Sequence, residues 1–586
     1  MVEEKNIPNT AASLHARNRR RALLRAGLII VIIVLVNILV SGFFYRIDLT
    51  QEKRFSVSTP TKELLREQED VVFFRIYLGG DLTPNLQRLQ TSTTELLDQF
   101  RVYANDNVQY DVFDPFSIPD ENNRNAFIKE LDDKNVYSIQ FYASATDEAS
   151  VKYVFPFVSV TYHDKEITIP LIDRGSMTLP LTPDSDPSVS ISLLEYKFTK
   201  AIRQLTETHK PYIAFIAGHD ELNRLEVKDI AVSLNELYSV TQIDLESDST
   251  FEIPVECKAI IIAKPLTAFS ERGKFIIDQY IMRGGNVLWM IDPVIADFDS
   301  LYTNNGQFMA VDRDLNITDM LVQYGARVNS NIIQDKQCTH INVPVRNGEE
   351  FIQRPWPYNP ILNNFNLRNP ISKNVDALEG KFVSTVDTIA TPGIQKTILL
   401  RTGSLSRYLK TGAPINFNIV DDRYAPTDDM YNKPYLPVAV LLEGNFQSAF
   451  STLKPTTERM HAAGIGYQDT SVLTKGRFSR QIVIGDGDLL KNYVDKNGQA
   501  DVLGINYIER HIFGNKDFAL NCVEYLCDRS GLIETRAKEV KLRPLDKQKA
   551  SNNRLQWQLL NIIAPLLILY LFGAVYHFIR NRKYAS

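Results

Sequence analysis

Two long uncharged runs lie at opposite ends of this 586-residue chain and constrain its fold more than any internal motif does. The first covers residues 26–45 and the second covers residues 555–579. Each run has at least the roughly 20 residues that a helix needs to cross a bilayer. Only a helix or a closed barrel satisfies its main-chain polar groups inside lipid. The sequence therefore predicts two membrane-spanning helices with a large body between them.

Basic residues flank both runs on their terminal sides: Arg17, Arg19, Arg20, Arg21 and Arg25 before the first, and Arg580, Arg582 and Lys583 after the second. Because basic flanks stay cytoplasmic, both termini are predicted in the cytoplasm and the body on the other side. A cleaved signal peptide is the alternative for the first run, although no small-residue cleavage site follows it closely. A buried helix of a soluble domain is the alternative for the second run.

The charge balance indicates the kind of partner the body meets. The chain has 65 Lys and Arg against 70 Asp and Glu. Since both tails are basic, the body between the spans is more acidic than the whole. Nucleic-acid binding requires a basic surface, so we predict no nucleic-acid partner. The basic tails are typical of segments beside anionic inner-membrane lipid.

Four cysteines are spread over the chain: Cys257, Cys338, Cys522 and Cys527. No C-x-x-C pair is present and the spacing fits no zinc pattern. The body is long enough to bury its cores without disulfides.

Alternating strand and helix patterns predict an α/β body in two parts. Strand, helix, strand over 71–116 predicts a parallel unit in a domain of thioredoxin-like type. The later alternation predicts a parallel sheet with helices on both faces. The predicted segments are a cytoplasmic basic tail at 1–25, a span at 26–45, an α/β domain at 46–185, a second α/β domain at 186–528 with an insertion at about 330–480, a connector at 529–554, a span at 555–579 and a tail at 580–586.

Polar residues follow several of the predicted strands. They are Gly218, His219, Asp220 and Glu221 after one strand, Asp292 after another, and Asp486 and Asp488 after a third. Ligands of open α/β sheets bind beyond the carboxyl ends of strands, so these residues form a candidate ligand rim. The alternatives are a solvated loop whose Asp220 caps the next helix and a tight Gly-Asp-Gly-Asp turn. We predict no metal and no cofactor.

Trp356 and Tyr358 lie between prolines in Arg-Pro-Trp-Pro-Tyr-Asn-Pro. They predict an aromatic contact surface for a sugar ring or a partner, with packing between domains as the alternative. G-x-S-x-G, H-E-x-x-H and phosphate-loop motifs are absent from the sequence. The chain is therefore predicted not to be an enzyme, and ATP hydrolysis is expected on a separate subunit.

Several segments resemble the GldG family of gliding-motility proteins in Bacteroidetes. They include RIDLTQEKRFSVSTPTKELL after the first run, PYIAFIAGHDE, RPWPYNP, VIGDGDLL and RPLDK, and above all FSERGKFIIDQYIMRGGNVLWMIDPV over residues 269–294. The resemblance extends over essentially the whole chain. GldG proteins are auxiliary, or "substrate-binding", subunits of an ABC transporter.

The resemblance implies partners and a place in the cell. It implies a permease subunit of GldF type, an ATPase subunit of GldA type and a periplasmic body on the bacterial inner membrane. It also implies a central domain similar to class I glutamine amidotransferases without their nucleophile. Motion of the permease would reach a periplasmic or cell-wall partner through coupling segments that contain Arg46, Lys53, Arg543 and Asp546.

Two other hypotheses remain open from the residues alone. One is a membrane-anchored glycan- or solute-binding protein that uses Trp356, Tyr358 and the rim. The other is a membrane-anchored hydrolase that uses His219, Asp292 and Asp488.

Overall fold

The computed structural model describes residues 25, 27–32, 34–35, 56–134, 136–142, 151–172, 186–207, 209–345, 350–421, 423–450, 473–528, 531–537 and 553–584. Contacts divide the chain into two units, Met1–Ser58 and Thr59–Ser586. In the first unit, residues 27–32 are helical and their side chains are exposed. The second unit is a mixed α/β structure, which confirms the predicted fold class at that level.

The helices of the second unit are α1 (Thr59–Arg66), α2 (Pro84–Tyr103), α3 (Glu121–Asp133), α4 (Ser188–Thr206), α5 (Lys228–Leu234), α6 (Glu271–Met282), α7 (Phe298–Thr303), α8 (Thr318–Tyr324), α9 (Asn515–Cys527) and α10 (Arg554–Tyr584).

The strands are β1 (Val72–Ile76), β2 (Val108–Val112), β3 (Ile139–Tyr142), β4 (Val151–Val154), β5 (Phe157–Tyr162), β6 (Lys165–Pro170), β7 (Tyr212–Ala217), β8 (Ser239–Asp244), β9 (Cys257–Ala263), β10 (Asn286–Met290), β11 (Val294–Ile295), β12 (Gln307–Met309), β13 (Val311–Asp312), β14 (Ala326–Val328), β15 (Asn331–Asp335), β16 (Cys338–Val345), β17 (Glu350–Leu362), β18 (Asn364–Phe365), β19 (Leu378–Glu379), β20 (Val386–Thr388), β21 (Ile394–Arg401), β22 (Ser406–Lys410), β23 (Pro414–Asn416), β24 (Pro437–Gln447), β25 (Lys475–Ile484), β26 (Ile505–Asn506) and β27 (His511–Ile512).

A four-stranded sheet in the order β2-β1-β5-β6 forms the N-terminal part of the body. β1 and β2 are parallel, as the strand–helix–strand pattern predicts, and β5 and β6 form an antiparallel hairpin. Alternate residues of β1 are fully buried, which is the period of two expected of a half-covered strand. α4 packs on this sheet, and the rings of Phe74 and Phe198 lie 5.3 Å apart.

An eight-stranded sheet in the order β18-β21-β24-β25-β10-β9-β7-β8 forms the main part. The strands from β25 to β8 are parallel neighbours, which confirms the predicted parallel sheet over that part. β24, β21 and β18 continue the sheet in antiparallel pairing. β21 and β24 come from the segment predicted as an insertion at about 330–480, so this segment contributes strands to the main sheet.

Helices cover both faces of the main sheet, as predicted. On one face Ile213 and Phe215 of β7 belong to a core that includes Phe518 of α9. On the other face Ala214 and Ile216 belong to a core that includes Ile277 of α6. Successive residues of the strand point to opposite faces, and each face is apolar. A sheet buried on both faces reads as a continuous apolar run, which is the pattern of YIAFIA.

α6 has a serine cap at its start and a glycine shortly after its end. Ser270 is the N-cap, and its side chain accepts a hydrogen bond from the main-chain N–H of Gly273 at 3.0 Å. Gly284 follows the helix with a φ of 92°, a left-handed conformation that favours glycine. α6 follows β9 in the chain, so its N-terminus comes after the carboxyl end of that strand.

Among the residues that the structure describes, one helix is long and apolar enough to cross a membrane, Gln556–Arg582 within α10. Its large apolar side chains, such as Leu566 and Tyr570, are exposed. This helix agrees with the predicted span at 555–579. Most of the predicted span at 26–45 lies outside the described residues.

Candidate functional site

The candidate rim lies at the carboxyl edge of the parallel strands. The strands are ordered β25-β10-β9-β7-β8, and parallel strands end at the same edge. Along that edge the chain places Asp486 and Asp488 after β25, Asp292 after β10, Lys264 after β9 and His219 after β7. The predicted rim residues therefore lie along one edge, where they form two separate groups.

The first group is the edge network, formed by Lys264, Asp292, Asp486 and Asp488. The ammonium Nζ of Lys264 lies 3.2 Å from Asp292 Oδ2 and 2.5 Å from Asp488 Oδ2. The main-chain N–H of Gly487 donates to Asp292 Oδ1 at 2.5 Å. The side chains of Lys264, Asp292 and Asp488 are 13%, 10% and 11% exposed. Each of these two carboxylates is thus paired with the Lys264 ammonium group, and the side chains involved are largely buried.

Asp486 is the most buried member of the edge network, with none of its surface exposed. Its carboxylate accepts from the main-chain N–H of Lys381 at 3.1 Å and from that of Asp488 at 2.9 Å. The first bond joins β25 to the loop that follows β19. Asp486 therefore fixes the position of that loop at the sheet edge.

Burial and neighbouring charge set different pKa values for the three acids. Burial, together with the charges of Asp292 and Asp488, raises the pKa of Asp486 well above its ordinary value. Burial also raises the pKa of Asp292, against the opposing effect of Lys264. Burial acts in the same direction on Asp488, but Lys264 outweighs it and lowers the pKa of that carboxyl. Lys264 in turn keeps its proton, because the two carboxylates outweigh burial and raise its pKa.

The second group is the histidine clamp, formed by His219, Glu221, Glu246 and Phe269. His219 Nδ1 lies 3.1 Å from Glu221 Oε1, and its Nε2 lies 3.0 Å from Glu246 Oε1. The imidazole stacks on the Phe269 ring with centroids 3.7 Å apart. Burial alone lowers the pKa of His219, but the two carboxylates outweigh burial and the net pKa is raised.

The loop around His219 differs from the solvated, helix-capping loop that the sequence offered as an alternative. His219 is 1% exposed, so the loop is not simply solvated. Asp220 is exposed with a φ of 54°, and α5 begins after Val227 with no side-chain cap, so Asp220 does not cap the next helix. Gly218 has a φ of 113°, and a Cβ there would meet Asp244 Oδ1 at 2.8 Å. Glycine is required at this turn because both the dihedral and the space exclude a side chain.

The clamp and the edge network are adjacent but make no mutual side-chain bond among the described residues. They are joined through the main chain, since Leu266 N–H donates to the His219 carbonyl at 2.8 Å. Ser270 Oγ, the cap of α6, donates to Glu246 at 2.7 Å and ties the clamp to that helix. The clamp is thus connected to β7, β8 and α6.

Within the described residues, no group of three or more His, Cys, Asp or Glu side chains is arranged to hold a metal ion. The position that a cation would take among Asp292 and Asp488 is filled by the ammonium group of Lys264. A hard cation requires several oxygen ligands that are not already paired. The edge network therefore functions as an internal ion-pair cluster that joins three strand ends.

The prediction that Trp356 and Tyr358 form an aromatic contact surface is wrong, because both side chains are buried. Trp356 is 0% exposed and Tyr358 is 2% exposed. Both belong to an apolar cluster, in which the Trp356 ring lies 5.0 Å from Tyr358 and 5.8 Å from Phe417. A sugar ring stacks on an exposed aromatic face, and neither ring offers one. Packing, the alternative interpretation, describes these two residues.

Four residues that bond to the rim residues or to their partners were not predicted from the sequence as part of the site. They are Lys264, Glu246, Ser270 and Lys381. Lys264 directly follows the apolar run at 259–263, so a charged residue after a buried strand was the available signal. The predicted coupling residues Arg46, Lys53, Arg543 and Asp546 lie outside the described residues.

Fold and site together define a mixed α/β body whose parallel-sheet edge is closed by its own ion pairs. Residues 210–522, more than half of the chain, match the family described as ABC-type uncharacterized transport system. The chain belongs to this family of auxiliary components of ABC-type transport systems. Residues 51–161 match a domain of unknown function, DUF7088.

Individual similar proteins are distant. An uncharacterized protein of Borreliella burgdorferi is 20% identical over 372 residues, which are 63% of this chain and 66% of that protein. The chain thus spans just under two thirds of the length of this relative. The mmIFT52 N-terminal domain aligns with 54% of this chain and 97% of its own length, at 15% identity and a TM-score of 0.30. That score is too low to support a shared fold.

Proposed function

We propose that this chain is a non-catalytic, membrane-anchored subunit of an ABC transport complex of the GldA, GldF and GldG type. The observation that carries the proposal is the family match over residues 210–522, which contains all of the main sheet and its edge. ATP hydrolysis belongs to a separate GldA-like ATPase, and translocation to a GldF-like permease. The role of this chain is to couple motion of the permease to a periplasmic or cell-wall partner in gliding motility or protein secretion.

The state of the sheet edge supports a non-catalytic role. Lys264, the lysine of the edge network, is held between two carboxylates and stays protonated. A lysine acts as a nucleophile only after it loses its proton. His219 is held from both ring nitrogens and stacked on Phe269, so it has no ring nitrogen left to take a substrate proton.

The proposed placement is two spans in the bacterial inner membrane with both termini cytoplasmic and the body periplasmic. The apolar helix Gln556–Arg582 supports the second span, and Arg580 and Arg582 at its end support its orientation. The uncharged run at 26–45 supports the first span. Coupling would then pass through the segments that contain Arg46 and Lys53 at one end and Arg543 and Asp546 at the other.

The two parts of the body are proposed to be thioredoxin-like and amidotransferase-like scaffolds. The parallel β1–β2 pair beside the β5–β6 hairpin supports the first comparison. The parallel strands of the main sheet support the second. A glycan-binding function loses its proposed aromatic surface, because Trp356 and Tyr358 are buried.

The proposal is tested by purifying the tagged full-length protein from its native membrane in mild detergent and identifying the bound chains by mass spectrometry. We expect a permease and an ATPase in stoichiometric amounts. A variant in which residues 555–579 are replaced by an unrelated membrane helix serves as the control and should lose both partners. Recovery of the chain alone, or equal recovery of the partners with the unrelated helix, would contradict the proposal.

A further inference from the structure

Among the residues that the structure describes, β6 forms the outer edge of the N-terminal sheet. It pairs there with β5 and with no other described strand. The main-chain N–H of Leu171 donates to the Pro156 carbonyl at 2.8 Å, which fixes the register of the pair. Hydrogen-bonding residues alternate along an antiparallel strand, so Ile167 and Ile169 bond to β5. The main-chain groups of Glu166, Thr168 and Pro170 therefore point away from the sheet.

One of these outward groups already shows that the edge accepts hydrogen bonds. The Pro170 carbonyl accepts from Lys197 Nζ of α4 at 2.7 Å. The main-chain N–H and C=O of Glu166 and Thr168 make no hydrogen bond to another residue that the structure describes. An unpaired strand edge is a template for a further strand.

A cleft of 960 Å³ lies in front of this edge. Glu166 and Thr168 on one face of β6 and Ile167 and Ile169 on the other all line it, so the cleft runs along the edge and not over one face. Leu520 of α9 also lines the cleft. The volume is at the upper end of the range of about 300–1,000 Å³ found for binding pockets.

The side chains of the cleft indicate the chemistry of its occupant. Its charged groups are largely paired with one another, since Lys134 lies 3.0 Å from Glu166 and Lys200 lies 3.1 Å from Glu524. Val189 of α4 lines the cleft and is 41% exposed. The cleft thus offers main-chain hydrogen bonds and apolar surface without a strong excess of either charge.

We propose that β6 binds an extended segment of a partner protein as a fifth strand of the N-terminal sheet. Main-chain hydrogen bonds to Glu166 and Thr168 supply the affinity, and apolar side chains at every second position of the segment pack toward α4. This binding site stands on the sheet edge alone and does not depend on the transport function.

The test uses full-length protein in detergent and a fluorescent octapeptide of alternating Val and Thr between terminal lysines. Binding is measured by anisotropy, and hydrogen exchange is resolved to single amides. We expect the peptide to slow exchange at Glu166 and Thr168, while Ile167 and Ile169 are protected with and without it. Thr168→Pro removes an outward N–H without breaking the bonds to β5, so it should weaken binding by about tenfold or more.

Thr168→Val is the matched control, since it keeps the N–H and the branched shape and should bind within about twofold of the unchanged protein. Three results would overturn the proposal. The first is no binding of the peptide, and the second is binding without added protection of Glu166 and Thr168. The third is full protection of these two amides before peptide is added, which would assign the edge to another segment of this chain. The exchange result on the unchanged protein decides the matter even where Thr168→Pro fails to fold.

Discussion

At the scale of single residues, the edge network shows how a buried charge cluster is made stable. Lys264 lies between Asp292 and Asp488, and main-chain N–H groups take up further carboxylate oxygens. Buried ion pairs cost desolvation energy, and the largest loss comes when one partner is removed and the other charge stays behind. The network therefore joins the ends of β9, β10 and β25 as one unit.

Replacing Lys264 with Met is expected to destabilise the protein by about 3–5 kcal/mol, because two largely buried carboxylates lose their cation. Chemical denaturation followed by circular dichroism measures the loss. Lys336→Met is the matched control, since Lys336 pairs with Asp428 at 2.6 Å but both side chains are more than half exposed. It should cost less than about 1 kcal/mol, and equal losses for the two variants would contradict a stabilising role for the network.

The histidine clamp predicts a pH dependence with a definite sign. The pKa of His219 is raised in the folded protein above its ordinary value of about 6.5. The stability from a raised pKa is fully present below the unfolded pKa and is lost as pH rises through the folded pKa. The free energy of unfolding of the unchanged protein should therefore exceed that of His219→Phe by more at pH 6 than at pH 9.

Urea unfolding of both proteins across pH 6 to 9 measures this difference. His163→Phe is the control, because His163 and its partner Asp70 are each 60% exposed. The control difference should stay nearly constant over the same range. A constant difference for His219→Phe as well would show that its charge does not stabilise the fold.

The sequence predicted part of this site and missed its centre. His219, Asp292, Asp486 and Asp488 each follow a strand, so their common edge followed from parallel topology. The position of Lys264 determines whether these carboxylates form an open cation site or are already paired with a cation of the protein itself. Its position beside them depends on the neighbouring order of β9, β10 and β25, and that order is a property of the folded sheet.

At the scale of elements, α6 connects the clamp to the helical layer. Ser270 caps the helix through Gly273 and also donates to Glu246. The FSERGKFIIDQYIMRGG pattern predicts this helix from local rules alone, with a cap at one end and glycine at the other. The antiparallel strands β21 and β24 were harder to predict, because their pairing with β25 depends on contacts distant in the chain.

Ser270→Ala should destabilise the protein by about 0.5–2 kcal/mol through loss of the cap. Thermal unfolding provides the measurement. Ser233→Ala is the matched control, since Ser233 is inside α5 and donates to the Asp229 carbonyl. Alanine favours a helix interior, so this control should be neutral or slightly stabilising. The cap would have no role if both variants unfolded at the same temperature.

At the scale of the whole molecule, α10 contains the one described helix that is long and apolar enough to cross a membrane. The sequence predicted α10 well, because an uncharged run of that length has few other stable environments. Trp356 and Tyr358 show the opposite case. The sequence of an aromatic pair between prolines is compatible with an exposed surface and with a buried core. The packing of both rings in the cluster that contains Phe417 shows that they belong to a core.

The proposed function requires that α10 lies against another membrane subunit. Photo-crosslinking residues placed singly from Ile562 to Phe572 in intact native membranes test it most directly. We expect crosslinks to one permease chain that recur every three or four positions, because one face of a helix meets a partner. Crosslinks to lipid alone at every position, or crosslinks to permease without this period, would contradict it.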